Sequence, residues 1–165
     1  MMEQLRQYRL LKSAVRITMG SIFLWAFFDK LFGLGFATTA DKAWITGASP
    51  TSGFLTYGTQ GPLAWIYQVL AGNPVIDWIY MIGLLAMGLG LVLGIMVRLA
   101  GYGAIAFMVI LWTAVLFPEN NPLIDEHVVY ALVLLWLTRT DTTKQFGLSR
   151  WWCSLEFVKQ RPILR

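Results

Sequence analysis

The sequence predicts an all-α integral membrane protein, a four-transmembrane-helix bundle that forms a single domain over residues 1–165. Of its 165 residues, 57% are hydrophobic and only 13% are charged. Water-soluble domains carry about 25% charged residues, so the composition excludes both a soluble fold and a disordered chain. Residues 78–97 and 99–117 contain no charge. As helices, both segments would extend for roughly 30 Å, the thickness of the bilayer core.

The four predicted spans cover about residues 14–36, 75–97, 99–117 and 122–138. The second and third are separated only by Arg98, which we place in the loop of a tight hairpin. The fourth predicted span contains only ten consecutive uncharged residues. It is long enough to cross the membrane only if its helix begins near Pro122. The first contains three charged residues, which are Arg16, Asp29 and Lys30.

The positions of the basic residues predict the orientation in the membrane. Eleven of the thirteen lysines and arginines lie before the first span, at the second hairpin or in the tail at 139–165; these are Arg6, Arg9, Lys12, Arg16, Arg98, Arg139, Lys144, Arg150, Lys159, Arg161 and Arg165. Cytoplasmic segments are rich in lysine and arginine, so both termini are expected in the cytoplasm. The net charge of +4 is then explained by the excess of basic residues in the cytoplasmic segments. The lipid bilayer is the expected partner, and nucleic acid is not.

The long outer loop at 37–73 is too apolar to be a solvated linker. Leu63, Ile66, Tyr67 and Leu70 have helical spacing, so a short helix is expected at the outer interface or between the spans. A loop of this length in a compact fold is usually functional, or else it only shields the bundle.

Two similar pentapeptides suggest an internal repeat. Residues 73–77 have the sequence NPVID and residues 121–125 have the sequence NPLID. In each, asparagine suits the N-cap of an inward-running helix and proline suits its first residue. The two helical hairpins would then be related by an axis along the membrane normal, unless both helices acquired the same start independently. Small residues favour close helix packing in membranes, so the glycines of the second span are expected at helix contacts; they include Gly83, Gly90 and Gly94.

The best candidate site is an outer cluster of Lys30, Asp29, Glu126 and His127 beneath the loop. Only twelve uncharged residues separate Arg16 from Asp29, about 18 Å of helix, so at least one of these charges lies at membrane depth. Each of these residues also has a purely structural alternative. The charged side chains of the first span could extend to the membrane surface (snorkelling). Glu126 could favour the positive end of the helix dipole, and His127 could be a hydrogen-bonded structural residue. With one cysteine and one histidine, the chain has no ligand set for zinc, an iron–sulfur cluster or bis-histidine haem, so no metal site is expected.

Several motifs resemble the DoxX family of small four-span membrane proteins. The resemblance covers most of residues 10–140 and is carried by Arg16, Gly20, Phe23-Leu24, Lys30-Leu31, Arg98-Leu99 and Asn121-Pro122. The strings FDKLFGLGF and GASPTSGFL resemble the DoxD branch, the membrane subunits of thiosulfate:quinone oxidoreductase. This resemblance implies a bacterial or archaeal plasma-membrane protein that takes part in quinone-linked sulfur oxidation.

The function expected first is a membrane subunit of a quinone-linked oxidoreductase, with thiosulfate or a related sulfur compound as donor. Lys30 and His127 would bind the quinone head or the anionic donor, and Glu126 would orient His127. The remaining cofactor-binding candidates are Trp44, Phe54 and Tyr130. A non-catalytic anchor subunit of a larger redox complex and a small transporter are the alternatives. Partner subunits are expected, because the chain supplies no ligand set for a redox metal of its own. A homo-oligomer is the alternative.

Overall fold

The computed structural model describes residues 2–118, 121–140 and 146–164. The structure is 73% helical, and no strand occurs within these ranges. The α-helices are α1 (Met2–Phe32), α2 (Ala64–Gln68), α3 (Pro74–Leu93), α4 (Val97–Ala114), α5 (Glu126–Arg139), α6 (Ser149–Ser154) and α7 (Glu156–Lys159). Two residues of the charge argument lie outside the described ranges, namely Lys144 and Arg165.

Three of the described helices, α1, α3 and α4, are long and apolar enough to cross a membrane. Many of their large apolar side chains are exposed, as expected for a multi-pass membrane protein whose helices contact lipid. These helices confirm the predicted helical membrane class. Helix α5 has only 14 residues and is shorter than a complete span.

The helices pack as two pairs. Helix α1 packs most extensively on α3 and helix α4 on α5, while α3 and α4 join the pairs. The shared core is apolar and includes Phe23, Met81, Leu84, Leu91, Ala104, Leu134 and Leu137. We call the end of the bundle where α1 finishes and α3 begins the loop end. The opposite end, where α3 finishes and α4 begins, is the tail end.

The two similar pentapeptides have different structures. Asn73 is the N-cap of α3, its side chain accepts from the backbone N–H of Val75 at 2.9 Å, and Pro74 is the first helical residue, as predicted. The prediction for Asn121 is wrong, because its side chain accepts from two backbone N–H groups in a turn and α5 begins only at Glu126. The N-cap of α5 is Asp125. The repeat therefore fails at the helix starts, while the relation between the hairpins stays a prediction.

The boundaries of the other spans also shift by a few residues. Helix α1 ends at Phe32, four residues before the predicted end at 36. The next residue, Gly33, takes a left-handed conformation with φ of +65°, which terminates the helix. The prediction that Arg98 lies in the hairpin loop is wrong. The turn lies at 94–96, and Arg98 is the second residue of α4.

Glycines set the closest helix contacts. A Cβ atom added at Gly20 would lie 2.8 Å from Cβ of Leu91, and one at Gly90 would lie 2.7 Å from Cβ of Ala100. The prediction that glycines of the second span lie at helix contacts is confirmed for Gly90. At Gly83, an added Cβ would meet only the end of Met87, at 3.7 Å, so this position faces open space.

Arg16 fastens the C-terminal segment to the tail end. Its guanidinium is fully buried and donates to the carbonyl oxygens of Leu91, Val92 and Phe146. A cation at these carbonyls suits the negative end of the α3 dipole. The backbone N–H of Leu148 donates to the carbonyl of Leu93 at 2.9 Å. Arg16 therefore joins α1 to the end of α3 and to the C-terminal segment.

Candidate functional site

A cavity with a volume of about 970 Å³ lies between α3 and α4. It extends from Lys30 and His127 at the loop end to Met96 and Leu99 at the tail end. Small residues on the facing sides of the two helices leave this space unfilled; they include Gly83, Ala86, Gly103 and Ala106. The cavity is thus a long groove produced by glycine and alanine where larger side chains would close the helix interface.

The polar end of this groove is formed by three elements that are distant in sequence. Lys30 comes from the last turn of α1, and its Nζ lies 5.9 Å from the ring centroid of Tyr80 on α3. His127 comes from the first turn of α5. Lys30 and His127 are the only basic residues among the described residues that line the groove. Both side chains line the loop end of the groove, where a polar or anionic head group could be recognised, and their pairing at one site stays a prediction.

Asp125, and not Glu126, orients His127. Oδ2 of Asp125 lies 2.8 Å from Nδ1 of His127, and Oδ1 accepts from the backbone N–H groups of His127 and Val128. Glu126 is exposed and does not line the groove. The expectation that Glu126 orients His127 is therefore corrected. With Nδ1 bonded to Asp125, Nε2 of His127 is the ring nitrogen left for a ligand.

Asp29 is placed apart from the groove. Its carboxylate is buried and accepts hydrogen bonds from the backbone N–H groups of Phe36 and Ala37, at 3.3 and 3.1 Å. A buried carboxylate requires such donors. Asp29 therefore fixes the first turn after α1, and the predicted grouping of Asp29 with His127 does not occur.

The 37–73 loop covers the loop end of the groove. Thr51, Phe54, Leu55 and Tyr67 from this loop line the groove. The loop contains the predicted short helix, as α2. Phe54 lines the groove, and its predicted contact with a cofactor stays a prediction.

Two further hydrogen-bonded contacts attach this loop to the bundle. Asp77 on α3 accepts from the hydroxyl groups of Ser49 and Thr51. At the end of α4, the hydroxyl of Tyr67 lies 2.6 Å from that of Thr113, and the backbone N–H of Gln60 donates to the carbonyl of Ala114 at 2.9 Å. Together with Asp29, these contacts hold the loop at three separate points.

Two predicted cofactor contacts lie elsewhere. Trp44 packs against Trp78 with ring centroids 4.6 Å apart, and Tyr130 packs against the apolar core. Neither side chain lines the groove. Sequence reasoning missed Tyr80, because a single tyrosine within the apolar stretch of α3 gives no signal of its own. Only its place beside Lys30 in the structure marks it.

Comparison with known proteins gives no match for this chain among family models, curated proteins or solved structures. Within the described ranges, no group of three or more His, Cys, Asp or Glu side chains could hold a metal ion. The residues of the groove fit a lipophilic ligand with a small polar head better than a polar one, because its walls are overwhelmingly apolar away from Lys30 and His127.

Proposed function

We propose that the chain is the membrane subunit of a quinone-linked oxidoreductase and that it binds quinone in the groove between α3 and α4. The observation that carries the proposal is the shape of this groove, with Lys30 and His127 at one end and an apolar channel of about 970 Å³ beyond them. This volume is within the range of natural ligand sites, about 300–1,000 Å³. The resemblance to the DoxX family supports the same function, with thiosulfate or a related sulfur compound as donor.

Bound quinone would supply the redox chemistry by accepting two electrons and two protons. The ammonium group of Lys30 would donate a hydrogen bond to a carbonyl oxygen of the head group, where a positive charge acts strongly in an apolar site. His127 would hold or release a proton at Nε2, and the Asp125 carboxylate at Nδ1 would stabilise the charged ring. The apolar walls would exclude water and hold the isoprenoid tail.

In the membrane, we place four spans, with the segment from Pro122 to Asp125 completing the short α5 at the outer interface. Both termini lie in the cytoplasm in this proposal, and the loop end faces outward. The membrane is the plasma membrane of a bacterium or archaeon. A partner subunit would supply electrons, because the chain brings no redox metal ligands.

Quinone titration of the purified chain in detergent tests the proposal. Lys30→Met and His127→Leu remove the two head-group contacts, and Lys42→Met is the matched control because Lys42 is exposed on the 37–73 loop. We expect each groove variant to bind quinone about tenfold more weakly, the effect of one lost charge-assisted hydrogen bond. The control should bind like the wild type.

Membranes that contain each variant at wild-type levels test the redox step. Thiosulfate-dependent quinone reduction should fall in both groove variants. If both retain wild-type quinone affinity and reduction, Lys30 and His127 only pack helices, and the anchor function replaces the proposal. Substrate flux into vesicles without quinone reduction would instead favour a transporter.

A further inference from the structure

A second cavity, of about 350 Å³, lies at the tail end and shares no lining residue with the groove. It is formed by the first turns of α4, the last turn of α5 and the final turn of the chain at Pro162–Leu164. The residues that line it are Arg98, Tyr102, Thr138, Arg139, Pro162 and Ile163. Arginines from two different helices therefore line one small space.

The arginines of this cavity have unused hydrogen-bonding capacity. Nη1 of Arg98 donates to the carbonyl oxygen of Pro162 at 3.1 Å, which positions the side chain. Its Nε is buried and has no acceptor within the described part of the chain. Buried N–H donors nearly always have a partner. An acceptor that the described residues do not provide would complete this site.

The charge of the cavity is not neutralised by the described residues. No carboxylate in the described ranges lies within ion-pair distance of Arg98 or Arg139, and the lining contains no acidic residue. The hydroxyl of Thr138 donates to the carbonyl of Leu135 at 2.8 Å. The hydroxyl of Tyr102 can donate to a ligand. The described residues thus place hydrogen-bond donors and two arginines around this cavity, with no described carboxylate beside them.

We propose that this cavity binds a phosphate group, carried either by an anionic phospholipid or by a small soluble phosphate ester. Guanidinium groups match phosphate oxygens with paired hydrogen bonds. The volume accommodates a phosphate with an attached glycerol but not a whole lipid, whose acyl chains would extend along the outside of α4 and α5. Basic pockets between transmembrane helices at the membrane surface bind lipid head groups in this way.

Lipid binding to the detergent-purified full chain, measured by native mass spectrometry, tests this site. The probes are phosphatidylglycerol, phosphatidylcholine and glycerol 3-phosphate. The variants are Arg98→Gln, Arg139→Gln and the double variant, with Arg150→Gln on the exposed face of α6 as the matched control. We expect the double variant to bind phosphatidylglycerol at least about tenfold more weakly, while the control keeps wild-type binding.

The probes separate the two sources of phosphate. Preferential retention of phosphatidylglycerol over phosphatidylcholine, without displacement by glycerol 3-phosphate, supports the lipid head group. Displacement by glycerol 3-phosphate supports the soluble ester. Equal retention of both lipids together with no binding of glycerol 3-phosphate overturns the proposal, and so does unchanged binding in Arg139→Gln and in the double variant. Arg139→Gln keeps the test decisive if Arg98→Gln misfolds, because the exposed Arg139 side chain carries no described structural hydrogen bond.

Discussion

Oγ1 of Thr51 donates a hydrogen bond of 2.5 Å to Oδ1 of Asp77, and both residues are buried. Ser49 donates to the same oxygen at 2.8 Å. A single carboxylate on α3 thus holds two hydroxyl groups of the 37–73 loop. Because Thr51 also lines the groove, this contact sets the height of the loop above the proposed quinone head.

Replacing Asp77 by alanine should loosen the loop. The buried hydroxyl of Thr51 and the half-buried hydroxyl of Ser49 would lose their acceptor, and we expect the free energy of unfolding to fall by about 1–3 kcal/mol. Thermal unfolding in detergent and limited proteolysis within residues 37–73 measure both effects. Asp41→Ala is the control, because Asp41 is exposed on the same loop. Equal protease sensitivity in the two variants would contradict the anchoring role of Asp77.

Replacing Arg16 by glutamine should release the tail. The variant loses the bonds to Leu91, Val92 and Phe146, and we expect a destabilisation of about 2–3 kcal/mol. Cys153 on α6 is the only cysteine of the chain, so its rate of alkylation reports on the tail. The rate should rise in Arg16→Gln and stay unchanged in Arg6→Gln, whose side chain is exposed.

Adding one methyl group at Gly20 should separate α1 from α3. The new Cβ would lie 2.8 Å from both Cβ of Leu91 and the backbone nitrogen of Val92, so the helices must move. We expect Gly20→Ala to lower the free energy of unfolding by about 1–3 kcal/mol, although alanine favours helix formation. Thermal unfolding of Gly53→Ala, where no atom lies within 4 Å of the added Cβ, is the comparison. A Gly20→Ala variant as stable as that control would refute the close contact.

Substitutions at the start of α5 separate the two candidate partners of His127. Asp125→Ala removes the N-cap and the bond to Nδ1; we expect a loss of about 1 kcal/mol in stability and weaker quinone binding. Glu126→Ala should leave quinone binding unchanged, because Glu126 is exposed. Thermal unfolding and quinone titration provide the two measurements. The reverse ranking of the variants would restore Glu126 as the orienting residue.

Filling the groove should block the ligand without harming the fold. Gly83 faces the groove with only Met87 nearby, so a leucine side chain at this position would occupy the space proposed for the quinone. We expect Gly83→Leu to lower quinone affinity severalfold while thermal stability is maintained. Gly83→Ala, which adds one methyl group and improves helix propensity, is the graded control. Full quinone binding by the leucine variant would place the ligand elsewhere.

The fold was predictable where the signal is local. Uninterrupted apolar stretches placed α3 and α4 within a few residues of their true ends, because a helix of this length is the only way to satisfy the backbone in lipid. The start at Asn121 was not predictable, since a nearly identical pentapeptide begins a helix at Asn73. In the second pentapeptide, the Asp125 carboxylate accepts hydrogen bonds from the backbone N–H groups of His127 and Val128, so Asp125 is the N-cap instead of Asn121.

The site was predictable in part for the same reason. The position of Lys30 on the buried face of α1 follows from helical spacing, and His127 follows from its place at the start of α5. The role of Asp29 depends on how residues 36 and 37 turn back toward α1, which no spacing rule describes. The cavity itself arises where α3 packs on α4. It depends on which small residues face each other across the two helices, and the position of a single glycine in the sequence does not show this.

The groove is flanked by Ile79 and Ile110, which are 65% and 52% exposed on the outer surfaces of α3 and α4. Its occupant would therefore enter sideways from the hydrocarbon phase. The concentration that governs occupancy is then the mole fraction of ligand among lipid or detergent molecules, and the aqueous concentration has little meaning. At a fixed amount of quinone, doubling the number of micelles should weaken the apparent affinity about twofold by mass action, so affinities of different variants are comparable only at one ratio of ligand to detergent.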